Sequence, residues 1–142
     1  MLYERSAGAV MFYYDGKRTE YLLLLYGAGH WDFPKGNIEE NEEELETVRR
    51  EIFEETGIKN LVFIPNFRHE IRYFYRKKGE LVNKEVVFYL VRSYEKEVRL
   101  SSEHKDYAWL DYENALRRLT YKTAKETLVR AHDFLASIGG RL

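Results

Sequence analysis

Six apolar runs rich in aromatic and β-branched residues, at about Ala7–Tyr14, Tyr21–Tyr26, Leu61–Ile64, Ile71–Tyr75, Val86–Val91 and Tyr107–Leu110, predict six strands. A sheet of that size needs helices to cover it, and three segments have helical spacing. The first is signed at both ends. Asn41 stands as a cap with Glu44 three residues on, Leu45, Val48 and Ile52 form an apolar seam, and Gly57 supplies a left-handed stop, so a helix is expected over about Glu42–Thr56. A shorter segment runs from Tyr112 to Leu119. After it Ala124, Leu128, Ala131, Leu135 and Ile138 recur at spacings of three and four. With 142 residues, two prolines (Pro34 and Pro65) and neither repeat nor low-complexity tract, the chain is expected to form one mixed α/β domain over residues 1–142.

Composition excludes several chemistries. Without cysteine there is no disulfide framework, zinc ribbon, thiol nucleophile or iron–sulfur cluster. No run approaches the roughly 18 apolar residues that span a bilayer, and the stretch Gly8–Tyr14 is too short for a secretory signal, so a soluble, cytoplasmic protein is expected. A formal net charge of −1 argues against a stable nucleic-acid partner or a membrane surface. That average conceals a division. Between Glu39 and Glu55 nine acids stand against two bases, and between Arg68 and Lys84 six bases stand against two acids. An acidic block able to hold cations, followed by a basic block able to hold phosphates, suits a metal-dependent enzyme acting on a polyanion; two solvated faces of opposite sign are the alternative.

The acids are not scattered. At about 100° per residue Glu51, Glu54 and Glu55 fall in one arc of the first helix, bordering the arc of Leu45, Val48 and Ile52. Carboxylates at i, i+3 and i, i+4 repel one another, so helix stability gives no reason to stack three there. A divalent cation removes the conflict, and oxygen-only ligation suits Mg²⁺ or Mn²⁺ shared with substrate phosphates. Arg50, four residues before Glu54, can hold a carboxylate in orientation.

Gly36, Glu42, Arg50, Glu51, Ile52, Glu54, Glu55, Gly57 and Ile58 together form G-x5-E-x7-R-E-U-x-E-E-x-G-U, with U a bulky aliphatic residue. This pattern resembles the signature of the Nudix hydrolases at every fixed position. The resemblance implies an α/β/α sandwich around a central mixed sheet, with a loop–helix–loop that binds divalent metal and hydrolyses a nucleoside diphosphate linked to another group. Carried over by position, it makes Glu54 and Glu55 the principal metal ligands and Glu51 a further ligand or the residue that handles the attacking water. Glu42 would bind another metal ion, Arg50 would orient Glu51, and the Lys35 carbonyl would complete a coordination sphere.

The resemblance extends from about Ser6 to Ile138 and favours one branch. Trp31-Asp32-Phe33-Pro34-Lys35-Gly36 is similar to the W-x-x-P-K-G segment of diadenosine tetraphosphate (Ap4A) hydrolases, and Ser102-Glu103-His104 with Tyr107, Trp109 and Leu110 is similar to their S-x-E-H-x-x-Y-x-W-L stretch. Lys84, ahead of an aromatic strand, also fits, and Glu103 would act as a metal ligand or as the base. Tyr73 and Tyr75 lie fifteen and seventeen residues beyond Ile58, where a tyrosine marks dinucleoside polyphosphate hydrolases. Lack of proline there weakens an ADP-ribose reading. The departure is Glu40-Asn41-Glu42 in place of P-G-E.

On this basis Lys35 reaches a phosphate, and His30 either donates to a phosphate or caps the loop beside Trp31. Tyr73 and Tyr75, on one face of a strand, present rings to an adenine, with Tyr121 on its other side. His69 and His132 are expected to be structural. The implied reaction is Mg²⁺-dependent hydrolysis of a small-molecule dinucleotide, Ap4A to AMP and ATP. The alternatives are an RNA 5′ pyrophosphohydrolase, another nucleoside diphosphate-linked pyrophosphatase, or a noncatalytic nucleotide- or RNA-binding module.

Overall fold

The computed structural model describes residues 1–139, so the last three residues of the expected domain lie outside the described part. The chain runs through β1 (Leu2–Tyr14), β2 (Thr19–Tyr26), β3 (Trp31–Asp32), β4 (Lys35–Asn37), α1 (Glu44–Thr56), β5 (Leu61–Phe63), β6 (His69–Lys77), β7 (Glu80–Ser93), β8 (His104–Leu110), α2 (Tyr112–Arg118) and α3 (Lys122–Ile138). All eight strands join one sheet. Its spine is β3-β2-β1-β7-β5, with β4 on β1, β6 on β7 and β8 on β2. β1 and β7 run parallel from Leu2 opposite Val82 to Phe12 opposite Arg92, and the remaining pairs are antiparallel, so the sheet is mixed.

Alternation along the central strands builds two cores. Ala7, Ala9 and Met11 of β1, Leu22 and Leu24 of β2, and Val87 and Val91 of β7 pack against Val48 and Ile52 of α1. Their neighbours Val10, Phe12, Tyr21, Leu23, Val86, Phe88 and Leu90 face the other way, onto Ala115 of α2 and Ala124, Leu128 and Ala131 of α3. Strands buried on both faces show as continuous apolar runs, and this explains why they stand out in the sequence. The architecture is the expected α/β sandwich.

Several elements differ from expectation. β1 begins at Leu2 because Tyr3, Glu4 and Arg5, too polar to signal a strand, extend the parallel ladder with β7. β6 and β7 are longer than their apolar cores and join through Lys78 and Gly79, both at positive φ (51° and 80°), a two-residue turn matched to sheet twist. β3 and β4 are too short for alternation to mark them. The α1 cap is also displaced: Asn41 takes a left-handed φ of 65°, Glu43 is the N-cap, and Glu46 accepts the Glu43 backbone N–H at 2.8 Å. Glu42 is drawn off into side-chain contacts described below, so the helix starts two residues late. Its end is as expected. Gly57, at φ 76°, donates its N–H to the Phe53 carbonyl at 2.9 Å.

Candidate active site

α1 presents its acids to β4 across a narrow gap at Gly36. A Cβ on Gly36 would collide with the Glu51 carboxyl group, so the missing side chain lets that carboxylate lie against the β4 backbone. Arg50 fixes it from the other side. Its Nη1 donates to Glu51 Oε1 at 2.7 Å and Glu54 Oε2 at 3.2 Å, its Nε donates to Glu42 Oε2 at 2.7 Å, and its Nη2 donates to the Asn37 carbonyl at 3.0 Å. Glu42 accepts in addition from the Thr47 hydroxyl and, at 3.0 Å, from the Glu39 backbone N–H. Arg50, then Thr47 and the Glu39 amide, hold the Glu42 carboxyl down to about 2. Both Glu42 oxygens are therefore engaged, and this carboxylate anchors Arg50.

Glu55 points inward and is only 3% exposed. Its Oε1 lies 3.1 Å from His104 Nε2 and 3.4 Å from the Tyr26 hydroxyl, which donates at 2.6 Å to the Phe33 carbonyl. Its Oε2 has no partner. Burial, then Glu51 and the charge of Glu103, push the Glu55 carboxyl up to about 10, with the Lys35 backbone amide opposing them. Glu103 sits in the turn before β8, where its carbonyl accepts from the Gly27 N–H at 3.0 Å. Among the described residues no three acidic or imidazole groups converge as a ready cation site, and Arg50 pairs with both Glu51 and Glu54. The donor set fits a divalent cation all the same. A buried carboxylate oxygen without a partner, beside two further acids and no sulfur or nitrogen competitor except His104, is a hard-oxygen arrangement, and Arg50 bonds to Glu51 and Glu54 but not to Glu55.

The expected substrate residues meet in one cavity of about 590 Å³. His30, Lys35, Tyr73, Tyr75, Lys84 and Tyr121 all line it. Lys35 Nζ donates to Asp32 Oδ2 at 2.9 Å; burial favours its neutral form, but Asp32 together with Tyr73 and Tyr121 outweighs burial and the ammonium is retained. Lys84 Nζ donates to Asn37 Oδ1 at 3.0 Å and Glu4 Oε1 at 3.3 Å. His30 stacks on Tyr26 with ring centres 4.7 Å apart and planes 6° apart, and its ring centre lies 5.3 Å from that of Tyr121. Tyr73 and Tyr75 rings stand 6.2 Å apart. Lys35 joins cavity and acidic site, since Gly36 and Asn37 follow it along β4. His132 bonds the Tyr21 hydroxyl at 2.8 Å and stacks on Tyr112, away from this cavity.

Five participants escaped sequence reasoning. Asp32 and His104 lie inside stretches already conspicuous for their pattern, which marked the segments but not these side chains. Tyr26, Asn37 and Glu4 carry no local signal. They arrive through strand pairing, as when the parallel register sets Glu4 opposite Lys84.

Known proteins resemble this chain in sequence and fold. The chain is 42% identical over 129 residues to bis(5′-nucleosyl)-tetraphosphatase [asymmetrical] of Mus musculus, covering 87% of this chain and 85% of the mouse protein. The protein of that name from Caenorhabditis elegans is 32% identical over 136 residues, 93% of this chain and 96% of its own. The crystal structure of a C. elegans Ap4A hydrolase binary complex superposes with a TM-score of 0.84 at 29% identity, covering 94% of this chain and 98% of that one. Nudix hydrolases generally use divalent metal ions. Residues 2–131 match the family model of the NUDIX domain, a span that takes in the sheet, the glutamate helix and most of α3, and the chain belongs to the NUDIX family.

Proposed function

We propose that this protein hydrolyses Ap4A asymmetrically to AMP and ATP, in the cytoplasm, with Mg²⁺ or Mn²⁺ held by Glu51, Glu54 and Glu55. The observation that carries this reading is the cavity itself: three tyrosines, a histidine and two lysines share it, and Lys35 connects it to the carboxylates. The names and coverage of the curated relatives support the same substrate class. A divalent ion bound among the carboxylates screens the polyphosphate and lowers the pKa of water.

The side chains do the rest. Arg50 and the bare Gly36 backbone keep the Glu51 carboxylate in place. Glu103 takes the proton of a water whose oxygen bonds to phosphorus as the bridging P–O bond breaks. Lys35 and Lys84 stabilise the negative charge that leaves with ATP. Tyr73 and Tyr121 hold an adenine by stacking, worth roughly 1 to 3 kcal/mol per base. Tyr73→Ala should therefore raise KM for Ap4A about tenfold with kcat nearly constant, measured by steady-state kinetics; an unchanged KM would remove Tyr73 from the base site.

A panel of Ap4A, ADP-ribose, NADH, 8-oxo-dGTP and 5′-triphosphorylated RNA with Mg²⁺ tests the whole reading. Ap4A should have the highest kcat/KM, and ion-exchange chromatography should resolve AMP and ATP in equal amounts. Two equivalents of ADP would mean symmetric cleavage. Faster turnover of the RNA would replace the proposed substrate with an RNA 5′ end.

A further inference from the structure

The pairing of β2 with β8 slips between Leu25 and Tyr26, and the slip puts His104 beside Glu55. From Tyr21 opposite Leu110 to Leu25 opposite Asp106 the register is regular, but Tyr26 then pairs with His104 and Lys105 is passed over. A bulge of this kind re-aims a side chain. Unbroken alternation would bring Lys105 opposite Tyr26, on the face where Leu22 and Leu24 pack against α1; the slip brings an imidazole there instead. The His104 side chain has no exposed surface, and its ring meets Tyr26 edge-on at 4.5 Å.

Each ring nitrogen lies close to another polar atom. Nδ1 is 2.9 Å from the Ser101 hydroxyl, and Nε2 is 3.1 Å from Glu55 Oε1. A tight turn fixes the first contact, since the His104 backbone N–H donates to the Ser101 carbonyl at 3.2 Å and the Glu103 N–H donates to the Ser101 hydroxyl at 3.3 Å. The second contact is close without being aligned as a hydrogen bond. Nε2, like Glu55 Oε2, is buried without a hydrogen-bond partner, whereas a histidine that served only the core would have both nitrogens satisfied. A carboxylate that binds a cation is ionised and carries no proton. An imidazole lone pair 3.1 Å from its oxygen would repel it, so the ring proton belongs on Nε2 and Nδ1 must accept, with the Ser101 hydroxyl as the donor in reach.

We infer that Ser101 and His104 are positioning residues for the metal site: the Ser101 hydroxyl donates to Nδ1 and holds the ring in the Nε2–H tautomer, and that N–H engages Glu55 Oε1, leaving Oε2 as the oxygen offered to the cation. This rests on the proposed role of Glu55 as a metal ligand and names what orients it. Removing an outer partner of this kind typically costs about 10- to 100-fold in metal affinity or activity. Ser101 has a second service, because its hydroxyl also ties down the turn that carries Glu103, and the test separates the two.

Mn²⁺ affinity, followed by electron paramagnetic resonance without substrate, is compared in the unaltered protein, Ser101→Ala, His104→Leu, His104→Gln and the double variant Ser101→Ala with His104→Gln. Ser101→Ala and His104→Leu should each weaken Mn²⁺ binding about tenfold or more. His104→Gln should stay close to the unaltered protein, because its amide N–H donates to Glu55 without help from Ser101, and in that background Ser101→Ala should add little. Unchanged affinity in Ser101→Ala, or an equal loss from it in the His104→Gln background, overturns the inference. A second measurement needs no variant. Long-range ¹H–¹⁵N correlation of the imidazole with Mg²⁺ present should show the Nε2–H tautomer of His104, and the Nδ1–H tautomer overturns the inference even where a variant fails to fold. Failure of the unaltered protein to bind Mn²⁺ would overturn it together with the metal assignment of Glu55. Faster turnover of a substrate other than Ap4A would refute the proposed substrate alone, and the affinities and the tautomer would still decide the roles of Ser101 and His104.

Discussion

Glu55→Gln is expected to abolish Ap4A turnover, by 10³-fold or more, and at the same time to make the metal-free protein more stable. Two consequences follow from one buried carboxylate with an unpartnered oxygen. The amide keeps the volume but loses the charge that a divalent ion needs. Stability moves the other way because the folded carboxyl is pushed up to about 10 by burial, Glu51 and Glu103, from its ordinary 4.5. Below pH 4.5 both folded and unfolded chains carry the proton and nothing is lost. As pH rises the unfolded chain releases its proton while the folded one retains it, so the native state is penalised progressively, up to the folded pKa. At pH 7 the penalty has a ceiling of about 3 kcal/mol, set by the distance from 4.5 to 7. Scanning calorimetry in EDTA should therefore show Glu55→Gln melting several degrees above the unaltered protein at pH 7, with the gap narrowing toward pH 5. With Mg²⁺ the order should shrink or reverse, because an ion that binds only the native carboxylate site stabilises it by mass action. An active Glu55→Gln protein, or an EDTA melting difference independent of pH, would end the assignment of Glu55.

The opposed effects on activity and stability explain which parts of this protein its sequence discloses. Strands buried on both faces and a helix with an apolar seam are statements about water, and water acts on every residue of the run, so β1, β2, β7 and α1 are visible as patterns. The glutamate stripe is visible for the opposite reason. It is costly to the fold, and the cost concentrates in three positions with fixed spacing. Gly36 is informative only together with that stripe, since its purpose is the space that Glu51 fills.

Long-range pairing leaves no such mark. The start of β1 is polar, and nothing in Tyr3-Glu4-Arg5 announces that a parallel ladder will carry Glu4 to Lys84, 80 positions away. The α1 start illustrates a local competition. Asn41 has the composition of a cap, but Glu42 gains Arg50, Thr47 and the Glu39 amide as partners only if the chain turns once more before the helix begins, and Asn41 tolerates the left-handed conformation that this turn requires. His104 is similar. Its ring packs edge-on against Tyr26 at 4.5 Å and approaches Glu55, contacts between β8, β2 and α1 that exist only once the sheet has formed.

Glu103→Gln should lower kcat by about 10² to 10⁴ while leaving KM within a few-fold, the signature of a lost general base. The geometry permits the role without imposing a structural one. Glu103 is exposed, its backbone alone ties the turn to Gly27, and its carboxylate is close enough to act on Glu55 through charge. Substitution by glutamine should therefore leave the melting temperature in Mg²⁺ nearly unchanged, in contrast to Glu55→Gln. The pH profile separates a base from a ligand. If Glu103 accepts the proton, the acidic limb of the kcat profile should be lost or displaced in the variant, and the affinity for Mn²⁺, followed by electron paramagnetic resonance, should remain. If Glu103 instead holds the ion, Mn²⁺ affinity should fall together with kcat and the acidic limb should persist. A kcat within threefold of the unaltered protein would exclude both roles and leave Glu103 a solvated side chain.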